Sequence, residues 1–238
     1  MVSNRYPKSP AKKINRKRFR MQNNDLLKKI ADKNVNIAEF VKMVIDDEPL
    51  RAEIVKQLLT NKDIMVYYHC YSIIDQASAE GPELFYQYWD NFTKLLHHQN
   101  SYHRDIGLTI TANLTAVDSD RRFPGIIEDY LNHINDPKFM TALCMVRNTK
   151  KIIRNQPDLR ECIIDFLIGV DNRCSYPDKQ KALLKCDIIE VLDEVYRACA
   201  RETIQDQKRI KDFVRSEINS ISPKTRKSAK DFTKKHGC

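Results

Sequence analysis

"QNSYHRDIG" (residues 99–107) is a joint between two helices, and the fold follows from reading it that way. Apolar residues recur at intervals of three and four on both sides of it, the period of a helix with one buried stripe. Asn100 and Ser101 are residue types whose side chains cap the free amides of a helix start. Basic residues open the helix, and Gly107 follows one turn later. The same grammar returns in "INDPKFMTA" (134–142), "CSYPDKQKA" (174–182) and "SISPKTRKSA" (220–229), each with a proline by the cap. Proline in the first helical turn loses no needed hydrogen bond. The small residue one turn on is Gly107, Ala142, Ala182 or Ala229, where a short side chain lets neighbouring helices approach closely.

Working outward, the periodicity predicts helices over 24–32, 36–46, 48–60, 63–79, 82–98, 102–117, 123–134, 137–155, 158–169, 177–199, 202–219 and 223–235. No stretch reads as a strand. Five glycines in 238 residues argue against sheet-rich folds and phosphate-cradling loops. No run reaches the ~20 apolar residues of a membrane span, and no apolar segment follows the basic start as in a secretory signal. Seven cysteines without a CxxC pair, most among apolar residues, predict buried reduced thiols. A cytoplasmic location is expected, with the nucleus as the alternative in a eukaryote.

The net charge of +9 lies mainly at the ends, with +8 in residues 1–22 and +5 in residues 222–238, so residues 23–221 sum to −4. Residues 1–22 combine dense like charge with Pro7 and Pro10, and are expected to be a disordered basic tail preceding a helical domain over 23–238. Its "KKINRKRFR" (12–20) would serve as an import signal, a nucleic-acid arm or a solubilising tail.

Gly107, Ala142, Ala182 and Ala229 are 35, 40 and 47 residues apart, and "TNKDIMVYYHC" (60–70) is a weaker earlier copy. An irregular period of this size with two helices per unit marks stacked helical hairpins. Over residues 36–236 the chain resembles the HEAT-repeat and armadillo-like α-solenoids. The resemblance implies an all-α, right-handed superhelix of about five hairpins with an extended concave surface. Arg104, Phe139 with Lys138, Lys179 and Arg226 stand nearest that family's basic site after the turn, although no copy here carries the family's Val-Arg pair.

Three candidate sites follow. Arg147, Lys150, Lys151 and Arg154 share one helix face, and Lys181 and Lys185 repeat a shorter version on the next. With Arg104 they would form a ladder for an acidic protein partner or, alternatively, for a phosphate backbone. Residues 67–92 hold eight of the twenty aromatics. Phe85, Trp89, Phe92 and Leu96 form one stripe, most simply core. Tyr86, Trp89 and Asp90 would make an aromatic-carboxylate patch able to stack a base. A family of helical-repeat enzymes that excise alkylated bases from DNA resembles this architecture, with Asp90 or Asp118 as nominal acids. Third, His97, His98 and His103 flank one turn beside Asp105, the residue types of a zinc site, while histidines closing a helix also suit its dipole. The reading adopted is a noncatalytic binding scaffold with no metal, no cofactor and no membrane partner. The alternative is a nucleic-acid-binding or base-excising protein.

Overall fold

The computed structural model describes residues 23–198 and 204–237, and the basic segment 1–22 lies outside them. Thirteen α-helices pack on one another, with no strand among the described residues. The first four are α1 (Asn23–Ala31), α2 (Ile37–Asp46), α3 (Glu48–Thr60) and α4 (Ile64–Glu80). Then come α5 (Trp89–Lys94), α6 (Ser101–Leu114), α7 (Ile127–Asn132), α8 (Phe139–Asn155), α9 (Arg160–Ile168) and the short α10 (Val170–Arg173). Finally come α11 (Asp178–Ala198), α12 (Ile204–Ser216) and α13 (Pro223–His236).

Local chemistry sets the helix starts. Asn36, Asp47, Asp63, Asn100 and Ser222 each accept a backbone N–H from the first turn they precede, removing orphan donors. Pro223 occupies the first position of α13, as the sequence predicts, whereas Pro137 and Pro177 lie just outside their helices. Three predicted helices are broken up. The 82–98 segment becomes two 3-10 turns, α5 and a third 3-10 turn, because Gly81-Pro82 starts it without a capping side chain. Phe123-Pro124-Gly125 likewise makes the entry to α7 a 3-10 turn. Gly169 ends α9, and α10 follows as an unpredicted short helix.

Helices α1, α2 and α3 pack on α4, and from α4 onward the helices form two layers. In one, α4, α6, α8, α11 and α13 pack in that order, each on the next. Side-chain links between neighbours keep a nearly constant sequence offset along the helix length. Tyr67 meets His103 near the starts and Asn113 meets Asp75 near the ends. Asn148 bonds Thr109 and Lys151 bonds Asn113. Arg147 reaches Asp187 and Arg154 reaches Glu194, both at an offset of 40, while Thr225 donates to the Ala182 carbonyl near the starts of α13 and α11 and Lys235 reaches Asp193 further along. An offset that does not change sign or drift requires parallel helices, so the five N-termini share one edge. In the other layer His97 pairs with Asp129 between the ends of α5 and α7, and Arg209 pairs with Asp165 between α12 and α9.

Between the layers runs one core that includes Ile73, Phe92, Leu108, Tyr130, Val146, Leu167, Ile188 and Phe232. The joint residues pack as the sequence implies. A Cβ at Gly107 would lie 3.0 Å from Leu95 Cβ and from the Phe92 carbonyl oxygen. Ala142, Ala182 and Ala229 are buried. On α13, Lys227, Lys230, Asp231 and Lys234 are exposed.

Candidate protein-binding face

The cations of the five-helix layer, together with Arg51 of α3, fall into two groups. The first clamps the joints. Arg51, Arg104 and Arg226 each stand fourth in their helix, four residues after the capping Asp47, Asn100 or Ser222. Arg51 Nη1 donates to the Val44 and Ile45 carbonyls at 2.6 and 3.2 Å. Arg104 Nη1 donates to those of His98 and Gln99 at 2.7 and 3.0 Å. Arg226 Nη1 donates to those of Ser220 and Ile221 at 2.7 and 3.3 Å. Lys181 does the same toward the Asp171 carbonyl at 3.2 Å. Carbonyls at a helix end carry the negative pole of the macrodipole and lack intrahelical partners, so a cation there satisfies both needs.

Arg104 does more, since its Nε and Nη2 grip both oxygens of Asp136 at 2.6 and 2.7 Å. The two side chains are 12% and 3% exposed. Burial pushes the Asp136 carboxyl up, but the guanidinium bonds outweigh it and hold it below its ordinary range. At the α8 joint, Tyr176 donates its hydroxyl to the Asp136 carbonyl and its ring packs edge-on against Phe139. Of the expected ladder, Arg104 and Lys181 are therefore spent on joints.

The second group lies on the helix faces, where groups on neighbouring helices answer it. Arg147 Nε lies 2.7 Å from Asp187, which Lys224 also approaches at 3.7 Å. Lys150 and Arg154 share Glu194 at 3.2 and 3.5 Å. Lys151 is largely buried and donates to Asn113 Oδ1 at 2.8 Å. Asn113 in turn donates to Asp75 Oδ1 at 3.1 Å and Ser78 Oγ at 3.0 Å. Burial lowers the Lys151 ammonium below its ordinary range. Lys185 sits between Asp171 and Glu217, 2.7 Å from each.

Two of these carboxylates each serve two cations, which leaves local positive charge. Where Lys150 and Arg154 share Glu194, a cleft of about 630 Å³ opens between α8 and α11. Lys150, Arg154, Arg160 and Arg197 line it with the single acid Glu194, over apolar ground from Ile153, Pro157 and Val195. Arg154 is 72% exposed. Arg197 reaches Asp193 at 3.3 Å.

The aromatic patch is part of the packing. Trp89 is 2% exposed, with the Arg122 guanidinium 5.3 Å from its ring centre. Asp90 pairs with that same Arg122. Tyr86 donates to Asp118 at 2.7 Å. Asp118 also accepts the Arg122 and Phe123 amides and Gln156 Nε2. Those bonds outweigh burial and keep it ionised below its usual range. Trp89 presents no open ring face, while Tyr86 is half-buried and Asp90 exposed.

The three histidines of the first joint separate. His97 pairs with Asp129, while the His98 and His103 rings lie tilted at 42° with centres 4.2 Å apart. Asp105 turns into the α6–α8 seam, where burial raises its pKa above the carboxylate range. Elsewhere Cys186, Asp187 and Glu190 bring three donor atoms within 4.8 Å. Asp187 there is already held by Arg147 and Lys224. Cys70, Cys174 and Cys186 are buried and unbridged, whereas Cys162 is exposed, unlike the expectation for it.

The chain matches no known family model, no curated protein and no solved structure. No helix among the described residues is long and apolar enough to cross a membrane. Sequence reasoning missed the clamp formed by Arg51. Its signal was present, because a capping Asp, Asn or Ser followed four residues later by Arg recurs at 47–51, 100–104 and 222–226.

Proposed function

We propose that the chain is a noncatalytic binding scaffold, a right-handed α-solenoid of about five HEAT-like hairpins whose α8–α11 cleft receives an acidic segment of a protein partner. The parallel five-helix layer supports the solenoid reading, since stacked hairpins with a constant offset extend a continuous surface. The observation that carries the binding reading is the cleft, in which Lys150 and Arg154 share the single carboxylate Glu194 above an apolar floor. An incoming carboxylate would take over Lys150 or Arg154 without leaving Glu194 unpaired. Phosphate would meet the same cations, but the buried Trp89 offers no stacking platform beside them.

The test compares proteins captured from the source cells by the wild-type full chain and by the Lys150→Glu/Arg154→Glu variant. Circular dichroism confirms equal helicity of the two. A partner whose capture falls at least tenfold, and whose contact segment maps to an acidic stretch, supports the reading. Equal capture by both chains contradicts it. Salt-sensitive binding of single- or double-stranded oligonucleotides that vanishes in the same variant would replace the protein partner with nucleic acid.

A further inference from the structure

The exposed apolar side chains are not scattered. Among the described residues the large exposed ones are Ile64, Met65, Tyr68, Tyr102, Met140, Leu183 and Ile221. All but Ile221 lie in the first two turns of α4, α6, α8 or α11, and Ile221 immediately precedes α13 and its cap. These five helices are parallel neighbours, so the seven residues form a row along the edge where the N-termini meet. Tyr102 is 66% exposed and Met140 61%, well beyond what packing against the core requires.

Exposed lysines accompany the row. Lys62 precedes Ile64, Lys138 precedes Met140, Lys179 lies one turn before Leu183, and Lys224 follows Ile221. Of the acids beside them, Asp63 is occupied in capping Met65 and Val66, and Asp136 is buried under Arg104. Asp171, exposed at the α11 joint, is paired with Lys185, and Asp178 is exposed beside Lys179. Scattered apolar residues need no explanation, but a series brought to one edge and accompanied by lysines at four of its five helix starts marks an interaction surface.

We infer that this edge is a docking strip for a peptide segment that combines acidic residues with regularly spaced apolar ones. Packed helices lie roughly 8–10 Å apart. An amphipathic helix presents apolar side chains at i and i+7 about 10.5 Å apart, and a polyproline-type strand presents every third residue about 9.3 Å apart. Either segment would place one apolar side chain on each helix start, with its carboxylates beside Lys62, Lys138 and Lys179. The strip lies apart from the α8–α11 cleft, which sits toward the other ends of those helices. The inference shares the scaffold reading without needing that cleft.

Selection of a random 16-residue peptide library displayed on phage against the full chain tests it. The expected result is enrichment of peptides bearing Asp or Glu together with Leu, Met or Phe. Their affinity should fall at least tenfold with Tyr102→Ser/Met140→Ser and stay unchanged with Lys150→Glu/Arg154→Glu. Both positions of the first variant are exposed, so folding is not at risk. No enrichment, a basic consensus, or peptides indifferent to the first variant would overturn the strip. Peptides sensitive only to the second variant would overturn it while leaving the cleft reading intact. Concentration-dependent dimerisation abolished by Tyr102→Ser/Met140→Ser would assign the edge to a second copy of the chain and overturn the peptide proposal.

Discussion

Arg104 and Arg154 stand on adjacent parallel helices, and each reaches an acid contributed by the following hairpin. Arg104 is 12% exposed and grips a carboxylate that is 3% exposed, while also closing the carbonyl ends of the preceding helix. Arg154 is 72% exposed and shares its acid with Lys150 at 3.5 Å. Burial separates the two roles. A desolvated, fully bonded ion pair cannot be given up to a ligand without leaving a buried charge alone. A solvated pair in high dielectric contributes little and exchanges partners readily. The same division runs through the other cations, with Arg51, Lys185 and Arg226 on the buried side and Lys150 on the open side.

Substitutions should reproduce that division. Arg104→Ala removes one partner of the buried pair and should cost about 3 kcal/mol in urea unfolding. A loss under 1 kcal/mol would place Asp136 in contact with water and erase the contrast. Acid acts on the same joint. The Asp136 carboxyl is held low, so its contribution is complete above the ordinary carboxylate pKa and is lost as pH falls through the depressed value. Wild-type unfolding should therefore show an acid limb that is reduced in Asp136→Asn.

Gly107→Ala tests the geometry of that joint without touching charge. Its Cβ would meet backbone at 3.0 Å, so overpacking should cost about 2 kcal/mol. Gly125→Ala, with nothing within 4 Å, should lie near neutrality by the same measurement. A harmless Gly107→Ala would mean that the joint is looser than the contacts imply.

Asp105→Asn should have the opposite sign. The Asp105 carboxyl is raised by burial, so its favourable contribution exists at low pH and is lost as pH rises through the raised value. The Asn variant should melt above the wild type at neutral pH, with the gap closing on acidification. The smallest effect belongs to Arg154→Ala, within about 0.5 kcal/mol.

The joints were legible because their chemistry is local. Asn100, Ser222 and the small residues Gly107 and Ala229 announce themselves within ten residues, and caps depend on neighbours in sequence. The broken helices at 82–97 and 123–135 were hidden because apolar spacing alone does not distinguish a 3-10 turn from an α-turn. The fate of the basic ladder was hidden for a different reason. Lys185 is neutralised by Asp171 and Glu217, the latter 32 residues away, and Lys151 is tied by a hydrogen bond to Asn113, 38 residues away. The Lys151 contact is to a neutral amide rather than a charge pair, and both arrangements exist only after the hairpins stack. Trp89 and Asp90 show the same limit, since Arg122, 32 residues on, both covers the ring and pairs with the acid. The apolar row lies between these cases. Tyr102 and Met140 occupy the same place after their joints, but their exposure emerges only when the five helix starts are set side by side.

The division between buried clamps and open cations is tested most directly by two double-mutant cycles in urea, one on Arg104 and Asp136 and one on Arg154 and Glu194, each with alanine. Coupling of about 2 kcal/mol or more in the first and below about 0.5 kcal/mol in the second is the predicted result. Equal couplings, or a larger one at Arg154 and Glu194, would contradict the account.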